Sequence, residues 1–437
     1  MILIDGCRVV VTMNDAGTEL ENGSILIEGG VITWIGQGRP PVREQPDVID
    51  GRGLVAIPGL INTHHHLYQT LTRVRAQEGG LFDWLRELYP VWATIDADWE
   101  RTAAEVGLAE LALSGCSTTT DHHYVFPSGV TGLLETEIEV AGQLGLRFHP
   151  CRGSMDLGES SGGLPPDRVV EDIDTILAAT DDAIARFHNP APGSMLRIAV
   201  GPCSPFSVSQ RLMRESAALA RRRNVRLHTH IAETLDEETY CISTFNRRPL
   251  ELLDDLGFLG PDVWLAHCVH VDGADISRMA ATRTGVAWCP TSNMRLGSGF
   301  APGREMIDAG VEVGLAVDGS ASNDSGNLLA EARQAMLTTR ARKGAASMSA
   351  RQALRVATRG GAACLGRDDV GSLEVGKRAD IALFATDGLA FRGAEADPVA
   401  ALVFCNPGPV QHLFVEGNPV VHDGHLVNLS EATMIWA

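Results

Sequence analysis

Short apolar runs recur through the middle of the chain, and each is closed by polar side chains. Eight stand out: AIPGLINTHHH, CSTTTDHH, LRFHPCRGS, LRIAVGPCS, VRLHTHIAE, VWLAHCVH, GVAWCPTS and VEVGLAVDGS. Stretches of helical periodicity separate most of them. WERTAAEVGLAELALSG, stopped at Gly115, is one, and SQRLMRESAALARRRN, stopped at Asn224, is another. Eight β-then-α units predict an α/β fold, a (β/α)8 TIM-type barrel. The two ends of the chain pattern differently. ILIDGCRVVVT, GSILIEGGVITWIG and VIDGRGLVAIPG at the start, and RADIALFA and VQHLFVEGNPVVHDGHLV at the finish, read as strands joined by turns. They predict a small β-sandwich domain built from residues 1–56 and 371–437 around a barrel over 57–370.

In such barrels the chemistry sits at the C-terminal ends of the strands. His64 and His66 close the first run, His230 and Glu233 the fifth, His267 the sixth and Asp318 the eighth. Residues i and i+2 of a strand share a face. His64 and His66 can therefore converge inside the barrel mouth, while His65 must point toward the helices. LHTHIAET puts His228 beside His230 on one face, one histidine more than a site needs. AHCVH offers His267 and His270, and VDGSASND offers Asp318, Asn323 and Asp324. Three histidines and a carboxylate suit one divalent metal, zinc first and iron as the alternative, with a position left for water. Water held that way ionises near neutral pH.

Composition narrows the classes. The 437 residues carry a formal net charge of −19, which argues against a nucleic-acid partner. No stretch reaches the roughly 18 apolar residues of a membrane span. The opening MILIDGCRVVVTMND lacks the basic and apolar regions of a secretory signal. The 9 cysteines form no CxxC pair, as suits reduced thiols. A cytoplasmic location is expected. Of 36 basic residues only Lys343 and Lys377 are lysine, leaving 34 arginines (36 − 2).

PGLINTHHH, LHTHIAE, LAHCVH and VDGSASND resemble the amidohydrolase superfamily in its deaminase and chlorohydrolase branch. VGSLEVGKRADIALF resembles that family's return into the small β domain. The resemblance spans nearly the whole chain. It implies metal ligands His64, His66, His230 and Asp318. It further implies Glu233 as proton shuttle, His267 as the hydrogen-bonding partner of the hydrolytic water or substrate, and Asp318 as the base. Binuclear members hold a second ion with a carboxylated lysine on an early-middle strand or with a residue that substitutes for it. No lysine precedes Lys343, so the resemblance implies a mononuclear site. Several dehalogenating relatives depart from the pattern at the strand-eight aspartate, and its presence implies amine loss. Relatives often form dimers, so a homo-oligomer is expected.

NTHHHLYQTLTR, LFDWLRELYPVWA, DHHYVFP, RGSMDLGESSGGLPP, PCSPFSV and NMRLGSG are most similar to bacterial 8-oxoguanine deaminases. Triazine-ring hydrolases and isoxanthopterin deaminases share fewer of these stretches and stand as alternatives. A catalytically dead binding scaffold is the alternative of another class. The substrate expected is a small amino-substituted heterocycle. Gln69 could bond an amide edge, and Trp84 could stack on a flat ring. One of His122 and His123 should face the pocket. Arg152 and Ser204 end the third and fourth runs.

Overall fold

The structure, a computed structural model, describes residues 1–42, 44–405 and 407–429. Positions 406 and 430–437, part of the C-terminal piece assigned to the β domain, lie outside them. The barrel strands form two parallel sheets that continue one another. Leu60–Asn62, Cys116–Thr119 and Arg147–Phe148 make the first. His122–His123, Cys151–Ser154, Ala199–Pro202, Leu227–Ile231, Val263–His267, Gly285–Trp288 and Val313–Leu315 make the second. The second and third barrel strands are thus each split. In the third the break falls at Pro150, which has no N–H to give the ladder. The ladder still runs across the breaks, through Thr120 N to Asn62 O (3.0 Å), His122 N to His65 O (2.8 Å) and His149 N to Thr119 O (2.9 Å).

Closure comes where the first strand meets the eighth. Thr63 N donates to Leu315 O at 3.0 Å, and Asp318 N to His64 O at 3.2 Å. The Asn62 amide stitches both neighbours: Nδ2 donates to Thr119 Oγ1 at 3.0 Å, and Oδ1 accepts from Val317 N at 3.0 Å. Helices pack outside, and their ends obey local chemistry. Ala97–Leu113 is capped by Asp96, and Gln210–Arg223 by Ser209, each accepting the backbone N–H three residues on. Asn224 ends the latter in the left-handed region, φ 53°.

Both termini enter one sheet of nine strands. Leu54–Pro58 lies at its centre. It runs parallel to Ile2–Val11 and antiparallel to Ile381–Ala385, and Leu60 then opens the barrel. A buried ion pair clamps this sheet to the barrel. Arg147, at the base of the third strand and fully buried, donates to Asp380 through Nε (2.6 Å) and Nη2 (2.9 Å), and to Gly193 O at 2.6 Å. Breaking one side of a buried pair strands the other charge. Arg147→Met is expected to cost about 3–5 kcal/mol, read as a lowered midpoint in denaturant titration; an unchanged midpoint would show that the clamp carries no stability.

Candidate metal centre and active site

The alternation of HHH is borne by extended backbone just past the first strand, with His66 at φ −137°, ψ 90°. His64 and His66 point inward, where both Nε2 atoms lie 3.3 Å from Asp318 Oδ1. His66 Nε2 lies 3.1 Å from His230 Nε2. The other ring nitrogens decide which protons are present. His66 Nδ1 contacts His122 O and His230 Nδ1 contacts Cys203 O, both at 2.8 Å. A carbonyl only accepts, so both Nδ1 atoms carry hydrogen and both Nε2 atoms carry a bare lone pair. His64 follows by relay. His228 Nδ1 donates to Trp264 O (2.8 Å), which leaves His228 Nε2 to accept from His64 Nδ1 at 2.8 Å. His64 Nε2, buried, is then bare and without a partner.

Three lone pairs and a carboxylate oxygen therefore crowd one buried point. That arrangement is repulsive unless a cation occupies its centre, and carbonyl-backed neutral imidazoles are what a metal requires. The residues fit a divalent ion. Burial also pushes His64 below, and His66 and His230 well below, the ordinary imidazole range. Asp318 is held by Ser292 Oγ (2.5 Å) and Ser322 Oγ (3.0 Å) on Oδ2, and by Gly319 N (2.7 Å) on Oδ1.

Glu233 and His267 stand beside this point, His267 Nε2 3.5 Å from Glu233 Oε2. Burial pushes the Glu233 carboxyl up to about 7, the range in which a carboxyl can both give and take a proton. Burial works against charging His267, but Glu233 and Asp318 outweigh it and raise its pKa. Glu237 accepts from Ala232 N and Glu233 N, each at 2.8 Å, and so fixes the turn that aims Glu233. Asn293 Oδ1 lies 3.0 Å from His267 Nδ1. Four non-glycine residues here are left-handed: Ala232 (φ 51°), His267 (φ 72°), Cys268 (φ 49°) and Asp318 (φ 63°). Such strain costs on the order of 1 kcal/mol or more each and collects at functional sites.

Above the cluster lies a cavity of about 400 Å³. His66, His230, Glu233, His267 and Asp318 line its polar side, and Trp84, Leu85, Tyr89, Tyr124 and Phe206 its flat apolar side. Gln69 and Ser204 line it as well. The Trp84 indole N–H is held by Ala321 O at 3.1 Å, leaving the ring as a wall. Gln69 rests against Gly319, where a Cβ would fall 1.9 Å from Gln69 Oε1. That buried oxygen has no partner.

Three expected pocket residues do not line the cavity. His122 turns inward but stacks on His230 (rings 4.9 Å apart, 18°) and bonds Gly201 O at 2.8 Å, below the cavity. His123 turns outward to Glu137 Oε1 at 2.8 Å. Two residues along from His122, Tyr124 reaches the cavity in their place. Arg152 lies over the Phe126 ring (3.8 Å) and pairs with Glu171 (2.8 Å), outside this pocket. His228 and Asn293 acquire their parts from contacts between distant segments, Glu237 from the turn it shares with Glu233, and Tyr124 from the depth at which the second strand ends. In sequence, only the HxH spacing of His228 and the acidic run after Glu233 hint at any of them.

His65 faces away, its Cε1 3.8 Å from where a Cβ on Gly107 of the outer helix would sit. Burial pushes it down to about 3. His64→Ala and His66→Ala are expected to lose bound metal by elemental analysis, whereas His65→Phe keeps it and lowers stability at most. Loss of metal in His65→Phe would overturn the division of the run.

The chain is 46% identical over 421 residues to the 8-oxoguanine deaminase of Pseudomonas aeruginosa, covering 96% of this chain and 94% of that protein. It is 39% identical over 458 residues to the hydroxydechloroatrazine ethylaminohydrolase of Pseudomonas sp. strain ADP, covering 100% and 94%. The solved structure of the atrazine chlorohydrolase of Arthrobacter aurescens TC1, complexed with zinc, superposes with a TM-score of 0.95 at 37% identity, over 100% of this chain and 98% of that one. The amidohydrolase family profile matches residues 55–420, the whole barrel and most of the returning sheet. With its fold, its histidine and aspartate cluster and these likenesses, the chain belongs to the amidohydrolase family.

Proposed function

We propose that the chain is a mononuclear metal-dependent aminohydrolase of amino-substituted N-heterocycles, and that its substrate is 8-oxoguanine, converted with water to urate and ammonia. The observation that carries this reading is the meeting of Glu233, His267 and Asp318 around a three-histidine cluster at the floor of a flat-walled cavity. The identity of 46% to an 8-oxoguanine deaminase supports the choice of ring. The ligands are His64, His66, His230 and Asp318, and the ion is zinc, as in the atrazine chlorohydrolase complex. When bound, the ion lowers the pKa of water and supplies a nucleophile.

The chain's own groups do the rest. Asp318 accepts the proton of the attacking water. Glu233 protonates the ring nitrogen beside the reacting carbon, then passes a proton to the departing amine. His267, held by Asn293, donates to the oxygen that gains charge. Trp84, Tyr89 and Phe206 sandwich the ring and exclude water, and Gln69 offers its free Oε1 to an N–H edge. The likeness to triazine hydrolases at a TM-score of 0.95 supports a second reading, amine loss from a triazine.

Both readings are separated by one assay. The protein loaded with one equivalent of zinc is offered aminopurines, pterins and aminotriazines, and ammonia is measured. Release from 8-oxoguanine but not from triazines is expected, and the reverse would overturn the first reading. Glu233→Gln should keep the metal and lose about 10²-fold or more in kcat; full turnover would remove Glu233 from the mechanism. Gly319→Ala should displace the Gln69 amide and raise KM about tenfold or more with metal content intact; an unchanged KM would show that Gln69 does not read the ring.

A further inference from the structure

All barrel strands are parallel, so residues just ahead of them gather at the mouth opposite the metal cluster. Arg197 precedes Ala199–Pro202, and Arg226 precedes Leu227–Ile231. His149 sits in the break of the third strand, beneath Cys151–Ser154. These three, with His188, line a cavity of about 1020 Å³ that opens to solvent.

Several of their polar atoms find no partner in the protein. Nε of Arg197 and Nε of Arg226 are buried without a hydrogen-bond partner, and so are both ring nitrogens of His149, a residue only 3% exposed. Among the described residues neither arginine forms an ion pair. Arg197 reaches only the carbonyls of Gly366 and Pro190, each at 3.2 Å. Arg226 lies against Gly366, where a Cβ would fall 2.7 Å from Nη1, so the missing side chain makes its berth. His188 completes the wall, its Nδ1 3.0 Å from Ile198 N and 3.2 Å from Ile198 O. Two carboxylates, Asp262 and Asp368, also line the cavity, and Asp262 is engaged by Arg221 at 3.3 Å.

Half-buried guanidinium groups without a carboxylate partner, beside a buried histidine with neither ring nitrogen bonded, call for an anion. In a chain of net charge −19 such a cluster is not a by-product of basic composition. Arg197, Arg226 and His149 bring unpartnered polar nitrogens from three chain positions to one space, which suits an oxyanion with several acceptor oxygens better than a planar carboxylate. We propose that this cavity binds a phosphate group, carried by inorganic phosphate or by a nucleoside monophosphate. Burial and the neighbouring Arg197, Arg226 and Arg367 push His149 well below the ordinary imidazole range, a penalty that a bound anion relieves.

Calorimetric titration of the metal-loaded protein with inorganic phosphate and with GMP, each against potassium chloride of matched ionic strength, tests this. Saturable binding of one or both is expected, and the arm that binds identifies the source. Arg197→Gln and Arg226→Gln should each weaken it about tenfold or more while metal content and turnover stay unchanged. No saturable heat beyond chloride in either arm overturns the proposal. So does full affinity in the variants, which would place the anion at the metal centre. Should Arg226→Gln fail to fold, the more exposed Arg197→Gln decides alone.

Discussion

Everything at the catalytic end of this molecule depends on one unfavourable contact. Three imidazole lone pairs and one carboxylate oxygen, from His64, His66, His230 and Asp318, are held within 3.3 Å of their neighbours in a site without room for water between them. No pair among these four is attractive by itself. They are held by what stands behind them: carbonyls of His122, Cys203 and Trp264, the His228 relay, and the hydroxyls of Ser292 and Ser322. The barrel's closure thus stores the affinity that a cation releases, and the left-handed backbone at His267 and Asp318 belongs to the same tension.

The architecture separates tasks along the barrel axis. The C-terminal mouth concentrates lone pairs, carboxylates and flat apolar walls, the requirements for holding a cation and a planar ring. The N-terminal mouth concentrates guanidinium groups. The terminal sheet is fastened near that same end through Arg147 and Asp380. The two mouths can differ in this way because parallel strands deliver every strand start to one end and every strand finish to the other.

Much of this was legible in the chain. The eight runs are all present as barrel strands, and the ends do combine into one sheet. The polar closure of each run marked His64, His66, His230, Glu233, His267 and Asp318, because strand alternation and the C-terminal rule are local and directional. Those rules say which way a side chain leaves the backbone but not how deep it stops. His122 therefore points inward yet ends beneath the cavity, and Tyr124 takes the place expected of it. Arg152 is drawn away by Glu171 and Phe126, partners no sequence pattern announces.

The sequence by itself determined the repeating β/α units, the division of the three histidines, and the absence of an early lysine, since each follows from residue type and spacing along one segment. Only the tertiary structure decided which lone pairs are bare, which carboxyl is raised, and which of the described arginines are left without a carboxylate. Those properties arise between residues far apart in the chain, from 27 positions (Cys203 to His230) to 164 (His64 to His228), where proton placement is set by the carbonyl or ring that the fold brings opposite. A chain encodes donors and acceptors, and the fold assigns them to one another.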